Sequence, residues 1–330
     1  MINTLSPHKA EARPAKPYRQ QFAEWMKFHH YSPRTIECYI GWMIKFVRFS
    51  GNKDALSLGG SEANAFLSHL ANDRNVTAKT QEQALCALVR FYDGCMGKPL
   101  GNIGKFQFAS RPSRLPVVMS KAEVFGVIAA MAPVFCLMAR LMYGCGLRLM
   151  ECCRLRVKDI DWDRGILNVR GGKGDKDRNV PLPESVVVEL KAHLARNKIR
   201  FDADGGWPVH LPGGLIHKYP SYERDWSWQY VFAAKSLSKD PDDGRLKMYH
   251  IHENSLQKAV HRSVKLCGFT KRITCHTFRH SFATHLLEAN VPIYDVKELL
   301  GHSRLETTMI YNHVASPVER RIKSPLDTQA

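Results

Sequence analysis

Between Ser110 and Val117 the chain reads Ser-Arg-Pro-Ser-Arg-Leu-Pro-Val, a stretch through which neither a helix nor a central strand can run. Proline supplies no amide hydrogen and turns the residue before it away from the helical region. Apolar periodicity stops on one side of this stretch and resumes on the other, which predicts a linker at residues 110–120 between two separately folded units. A length of 330 residues suits that division, being long for one domain. The expected layout is a flexible basic arm at residues 1–16, a helical domain at 17–109, the linker, and a larger domain at 121–330.

A formal net charge of +17, spread along the whole chain, points to a polyanionic partner. Nucleic acid fits better than a membrane surface, because the charge is not gathered beside an apolar anchor. Nine cysteines, an odd number without a CxxC pair or a leader-like segment, predict free thiols in a reducing, cytoplasmic setting. The most apolar run, Val124 to Ala139, is broken by Gly126 and Pro133 and reads as two buried helices, not as a membrane span.

In the first unit, Phe22, Trp25 and Met26 mark one helix. Ser32-Pro33 gives an N-cap and a proline at the first helical position for a second, carrying Ile36, Tyr39, Ile40, Met43 and Val47. Gly51 ends it, and two more helices follow, with Phe66, Leu67, Leu70 and then Ala84, Leu85, Leu88, Val89, Tyr92. In the second unit, Ile166–Arg170 and Arg178–Leu182 read as two strands joined by a glycine-rich turn with Lys173 at its tip, and a helix from Pro183 to about Arg200 comes next. The fold class is therefore mainly α with a small β-hairpin.

The chemistry concentrates near the carboxyl end. In His276-Thr-Phe-Arg279-His-Ser-Phe, His276 and Arg279 share a helix face while Phe278 and Phe282 anchor another. Gly301 stops a helix, Ser303-Arg-Leu-Glu306 reads as a capping box opening the next, and His302 occupies the corner two turns before Tyr311. Arg148 follows a glycine-punctuated apolar helix. A phosphodiester in attack gathers negative charge on its nonbridging oxygens, which an arginine fork can hold, and a phenol needs cationic neighbours to act as nucleophile. Lys173 is a candidate general acid. The turn around it does not match a phosphate-binding nucleotide loop, since glycine follows the lysine and no helix opens there. No HExxH or carboxylate cluster accompanies the histidines, so no metal site is expected.

The set Arg148, Lys173, His276, Arg279, His302 and Tyr311, in this order and these contexts, resembles the active site of the tyrosine recombinases. The resemblance covers the chain from about Leu115 onward by motif and the preceding helical unit, as a core-binding domain, by layout. It implies a two-domain recombinase that forms a 3′-phosphotyrosyl link to DNA and frees a 5′-hydroxyl, with no cofactor, neither metal nor ATP. By that resemblance Arg148 and Arg279 clamp the scissile phosphate, Lys173 protonates the leaving oxygen, His276 and His302 assist, and a homotetramer assembles on DNA.

Residues 201–250, with His217-Lys218-Tyr219-Pro220 and Asp225-Trp226-Ser-Trp228, are similar to an element added in integron integrases. That similarity implies folded single-stranded cassette sites and an integron attachment site as DNA partners, with Lys218, Trp226, Trp228, Tyr249 and His250 as contacts to unpaired bases and their phosphates. The pair Tyr249-His250 stands where integron integrases often carry two histidines. Trp226 and Trp228 have a second reading as local core. Three alternatives remain: a phage or Xer-type tyrosine recombinase acting on duplex sites, a DNA-binding protein without catalysis, and a type IB topoisomerase, which site-dependence of cleavage would separate.

Overall fold

A computed structural model of the protein describes residues 17–105, 116–170, 177–241 and 243–312. The arm at residues 1–16, the first part of the linker and Lys173 lie outside them. The chain divides between Ser113 and Arg114 into two compact units.

The first unit is helical. α1 (Tyr18–Phe28), α2 (Pro33–Phe49), α3 (Gly60–Asn72) and α4 (Ala78–Val89) follow in order, and α4 runs on into a π-helix at Arg90–Met96. The expected start of α2 is present: the Ser32 hydroxyl accepts from the Thr35 amide at 3.2 Å, with Pro33 in the first turn. Gly97, in the left-handed region at φ +62°, closes the π-helix. The apolar stripes converge on one core of Phe22, Met26, Ile40, Phe46, Leu67 and Leu88. Gln81, a fully buried amide side chain in this unit, donates to the Leu67 carbonyl at 2.9 Å.

The second unit opens with α5 (Lys121–Ala129), started by a capping box between Ser120 and Glu123, then α6 (Pro133–Gly144) and α7 (Leu149–Arg154). The apolar run is thus two helices broken before Pro133, as its sequence predicts. β1 (Ile160–Asp161), β2 (Ile166–Val169) and β3 (Arg178–Pro181) form an antiparallel sheet in that order, with Leu167 opposite Val180 and Val169 opposite Arg178. β1 is an addition to the expected hairpin; at two residues it is too short to show alternation. α8 (Glu184–Ala203) follows, then α9 (Leu215–Lys218), short 3₁₀ turns at Pro220–Arg224 and Trp226–Trp228, and a two-stranded ribbon of β4 (Ser238–Lys239) and β5 (Leu246–Lys247).

The chain ends its described part with α10 (Glu253–Leu266), α11 (Cys275–Glu288), α12 (Ile293–Leu300) and α13 (Glu306–Asn312). Leu141, Met142, Leu147, Cys152, Leu167, Val180, Phe232, Leu256 and Phe278 share one core, and α11 packs against α6, α12 and α13. The expected capping box at Ser303 is displaced: α13 begins at Glu306, where the Arg304 carbonyl accepts from Thr307 at 3.3 Å and the Leu305 carbonyl from Thr308 at 2.8 Å and Met309 at 3.0 Å. The protein is mainly α with two small sheets, and among the described residues no helix is long and apolar enough to cross a membrane.

Candidate active site

Three helix ends meet at the site. The turn from α6 to α7 carries Gly146 at φ +60°, and a Cβ there would stand 2.6 Å from the Phe282 ring. Glycine therefore permits both the backbone conformation and the close approach of α11. The turn leaves Arg148 as the N-cap of α7, with its amide on the Glu151 carboxylate at 2.8 Å.

Glu151 is the hub. It accepts from the Arg148 guanidinium at 2.6 Å and, through both oxygens, from Arg178 at 2.9 and 2.7 Å; Arg279 stands 3.9 Å away. Burial alone would raise this carboxyl, but Arg178 and Arg148 outweigh it and hold the pKa down at about 2.

The carboxyl end of α12 meets the same arginines from the other side. Gly301 takes the left-handed conformation at φ +61° and stops the helix. The Leu299 carbonyl accepts from Arg178 at 2.8 Å, the Leu300 carbonyl accepts from Arg279, and the Gly301 carbonyl faces Arg148 at 3.5 Å. Orphan carbonyls at the negative end of a helix dipole are thus met by guanidinium donors.

Arg279, on α11, is 1% exposed and also donates to the Gly146 carbonyl at 2.6 Å. Burial, and then Arg148 beside it, push its pKa down to about 9, which leaves it charged at neutral pH. His276, one turn earlier, is exposed, while Phe278 and Phe282 are buried as their spacing predicts.

His302 is held at both nitrogens, by Arg279 Nη2 at 3.2 Å on Nε2 and by Thr308 Oγ1 at 2.9 Å on Nδ1. Arginine can only donate, so Nε2 accepts and Nδ1 carries the proton. Burial and the neighbouring arginines push the ring's pKa down to about 3, so it is neutral. Tyr311 is 2% exposed, and its hydroxyl lies 2.8 Å from His280 Nδ1. Burial raises the phenol's pKa, while Arg279 and Arg148 pull it down.

The structure therefore brings Arg148, Arg279, His302 and Tyr311 together and sets His276 one helical turn from Arg279 on the same helix. Sequence reasoning gave no role to Glu151, Arg178, His280 or Thr308. Glu151 had a signal in its place three residues after Arg148 at a helix start. Arg178 had none, because its pairing depends on the sheet bringing β3 beside α7.

Residues 201–250 distribute the other candidates over separate packing sites. Trp226 is half-buried against Phe201, with ring centroids 5.4 Å apart. Trp228 stacks on Tyr222 at 5.4 Å, and Tyr222 on Tyr219 at 4.9 Å; Lys158 Nζ sits 2.9 Å from the Trp228 ring centre and Lys218 Nζ 5.4 Å from that of Tyr219. Tyr249 faces His210 at 6.2 Å, and His250 meets the edge of Tyr230 at 5.3 Å with Nδ1 on the Ile251 carbonyl at 2.8 Å. The segment is braced by Lys247, whose buried ammonium reaches Asp240 at 2.9 Å, Asp243 at 2.7 Å and Glu223 at 3.5 Å.

The family model described as the phage integrase family matches residues 128–317, and the N-terminal SAM-like domain of phage integrases matches residues 18–102. The chain is 42% identical to an Escherichia coli protein named integrase/recombinase, over 97% of each chain. It is 30% identical to the tyrosine recombinase XerA of Thermococcus kodakarensis, over 89% of this chain and 90% of that one. In fold it is similar to the XerH site-specific recombinase, solved bound to a palindromic difH substrate, with a TM-score of 0.62 at 19% identity over 93% of this chain and 84% of that one. The chain belongs to the phage integrase family, the tyrosine recombinases.

Proposed function

We propose that the protein is a site-specific recombinase that cuts and rejoins duplex DNA through a 3′-phosphotyrosyl intermediate formed on Tyr311. The observation that carries this reading is the Tyr311 hydroxyl packed in a buried corner beside Arg279, held by the Gly146 and Leu300 carbonyls, and His302, held by Arg279 and Thr308. In this reading the scissile phosphate lies between Arg148 and Arg279. The Tyr311 oxygen attacks phosphorus, the bond to the 5′-oxygen breaks, and Lys173 gives that oxygen a proton. Charge building on the nonbridging oxygens meets guanidinium donors already oriented, the condition under which electrostatic stabilisation is largest. His302, neutral and Nδ1-protonated, holds Arg279 in place, and His276 stands at the exposed side of the same helix. Four protomers on two sites complete the exchange.

DNA as the partner is supported by the net charge of +17 and by fold relatives solved as complexes with difH and with transposon-end DNA. An Xer-type recombinase is favoured by the likeness to the tyrosine recombinase XerA. The test is a nicked suicide duplex carrying the sequence that the protein selects from a random duplex pool. Wild type should form an SDS-stable adduct in EDTA without nucleotide, and Tyr311→Phe should bind the duplex but form none. An adduct with Tyr311→Phe, or strict dependence on magnesium, would overturn the reading.

A second reading, an integron integrase exchanging gene cassettes at folded single-stranded sites, is favoured by one observation. Tyr219 is 39% exposed and backed by Tyr222 and Trp228, which gives an unpaired base a platform with Lys218 beside it. In that reading Trp228 supports the platform, and Trp226, Tyr249 and His250 shape the segment around it.

A further inference from the structure

The hydroxyl of Tyr311 has a partner that the reading above leaves without a task. We infer that His280 is the general base of cleavage, taking the phenolic proton on Nδ1 as the Tyr311 oxygen attacks, and returning it on rejoining. The inference rests on the recombinase reading and assigns one more catalytic residue to the same site.

The geometry is direct. His280 follows Arg279 on α11, and its Nδ1 lies 2.8 Å from the Tyr311 hydroxyl, with ring centroids 5.4 Å apart. That separation is within proton-transfer reach. His302 cannot serve, because Arg279 occupies its Nε2 and its Nδ1 proton is given to Thr308. Bulk water is also a poor acceptor, since Tyr311 is 2% exposed in an apolar cluster with Phe282, Val296 and Leu300. A buried phenol needs a hydrogen-bond acceptor, and His280 provides one.

Charge sets the timing. The groups facing the His280 ring are His276, edge-on at 5.0 Å, and Arg279 on its own helix, with Tyr311 on α13. Burial first, then His276 and Arg279, push its pKa down to about 4, so the ring is neutral and its lone pair free at physiological pH. A phosphodiester seated on Arg279 offsets the cation that depresses the ring and raises its basicity when substrate is present. The proton then moves with bond formation, not before it.

The atoms balance. As the bond from the Tyr311 oxygen to phosphorus forms, the hydroxyl proton goes to His280 Nδ1. The electron pair of the broken bond stays on the 5′-oxygen, which takes its proton from the general acid. In rejoining, the 5′-hydroxyl attacks the phosphotyrosine and gives its proton back to the general acid, while the departing Tyr311 oxygen recovers its own from His280. The ring begins and ends neutral.

The test is single-turnover cleavage of the nicked suicide duplex between pH 6 and 9 by wild type, His280→Asn and His280→Ala. Asparagine keeps an acceptor for the phenol near the Nδ1 position but is not a base. His280→Asn should bind DNA normally and cleave at pH 7 roughly 100-fold slower or worse, the usual contribution of a general base. Its deficit should shrink about tenfold per pH unit as Tyr311 ionises unaided, and added imidazole should restore part of the rate of His280→Ala. Cleavage by His280→Asn close to the wild-type rate would overturn the inference, as would a deficit equal at every pH and untouched by imidazole. Absence of any adduct with wild type would instead remove the recombinase reading itself.

Discussion

Arg279 is the residue on which the geometry of the site turns. Its donors reach Gly146 before α7, Leu300 at the end of α12, and His302 in the corner beyond. A planar fork makes these bonds at once and a single ammonium does not. Arg279→Lys should therefore slow single-turnover cleavage by roughly 100-fold or more while leaving duplex affinity nearly unchanged; a large loss of affinity with normal cleavage would contradict the clamp. Glu151 has a different signature, in stability. Replacing it by Gln leaves buried arginines without their carboxylate, which costs about 3–5 kcal/mol and should lower Tm by roughly 10 °C. The sign of its pH dependence follows from a carboxyl held near 2 against an ordinary 4.5. Its contribution is complete above pH 4.5 and is lost as pH falls towards 2, so the Tm gap between wild type and Glu151→Gln should close over that interval. A gap that persists at pH 2 would show that the ion pairs are not its origin.

At the scale of elements, helix ends were the legible part. Ser32-Pro33 announced α2 and Gly301 announced the end of α12, because caps and left-handed stops are local chemistry. His276 and Arg279 were placed on one helix by their three-residue spacing. What was hidden was either very short or assembled from distant parts. β1, β4 and β5 have two residues each, too few for alternation, and the Glu151 to Arg178 pair joins residues that only the sheet brings together. The start of α13 was misplaced because Ser303 and Glu306 have capping-box spacing, yet the carbonyls of Arg304 and Leu305 take the first bonds of the helix. The turn between α6 and α7 yields an element-scale prediction. Gly146 and Gly165 share a positive φ, but only at Gly146 would a Cβ meet a ring, that of Phe282, at 2.6 Å. Backbone strain of order 1 kcal/mol is expected at both positions. Gly146→Ala should add a steric loss and reduce cleavage as well, so equal losses in Tm and activity for the two variants would contradict the close approach of α11.

At the scale of the whole molecule, the question is how a basic two-unit chain meets DNA. Affinity should fall steeply with salt, as counterion release requires. The duplex reading predicts that wild type cleaves its selected duplex at least as fast as a hairpin folded from one strand of it with an unpaired base, and that Tyr219→Ala leaves duplex cleavage intact. A folded-strand preference abolished by Tyr219→Ala or Trp228→Ala would favour the integron reading, since a lost base stack is worth about 1–3 kcal/mol, on the order of tenfold or more in rate. Trp228→Ala with a lower Tm and equal loss on both substrates would assign that ring to packing. Beneath either choice of substrate lies the claim that Tyr311 is the atom donor to phosphorus. The most direct measurement is peptide mapping by mass spectrometry of the covalent complex trapped on the suicide duplex. The account predicts one modified peptide, containing Tyr311 and carrying a nucleotide through its 3′-phosphate; modification of any other residue, or a 5′-phosphate linkage, would contradict it.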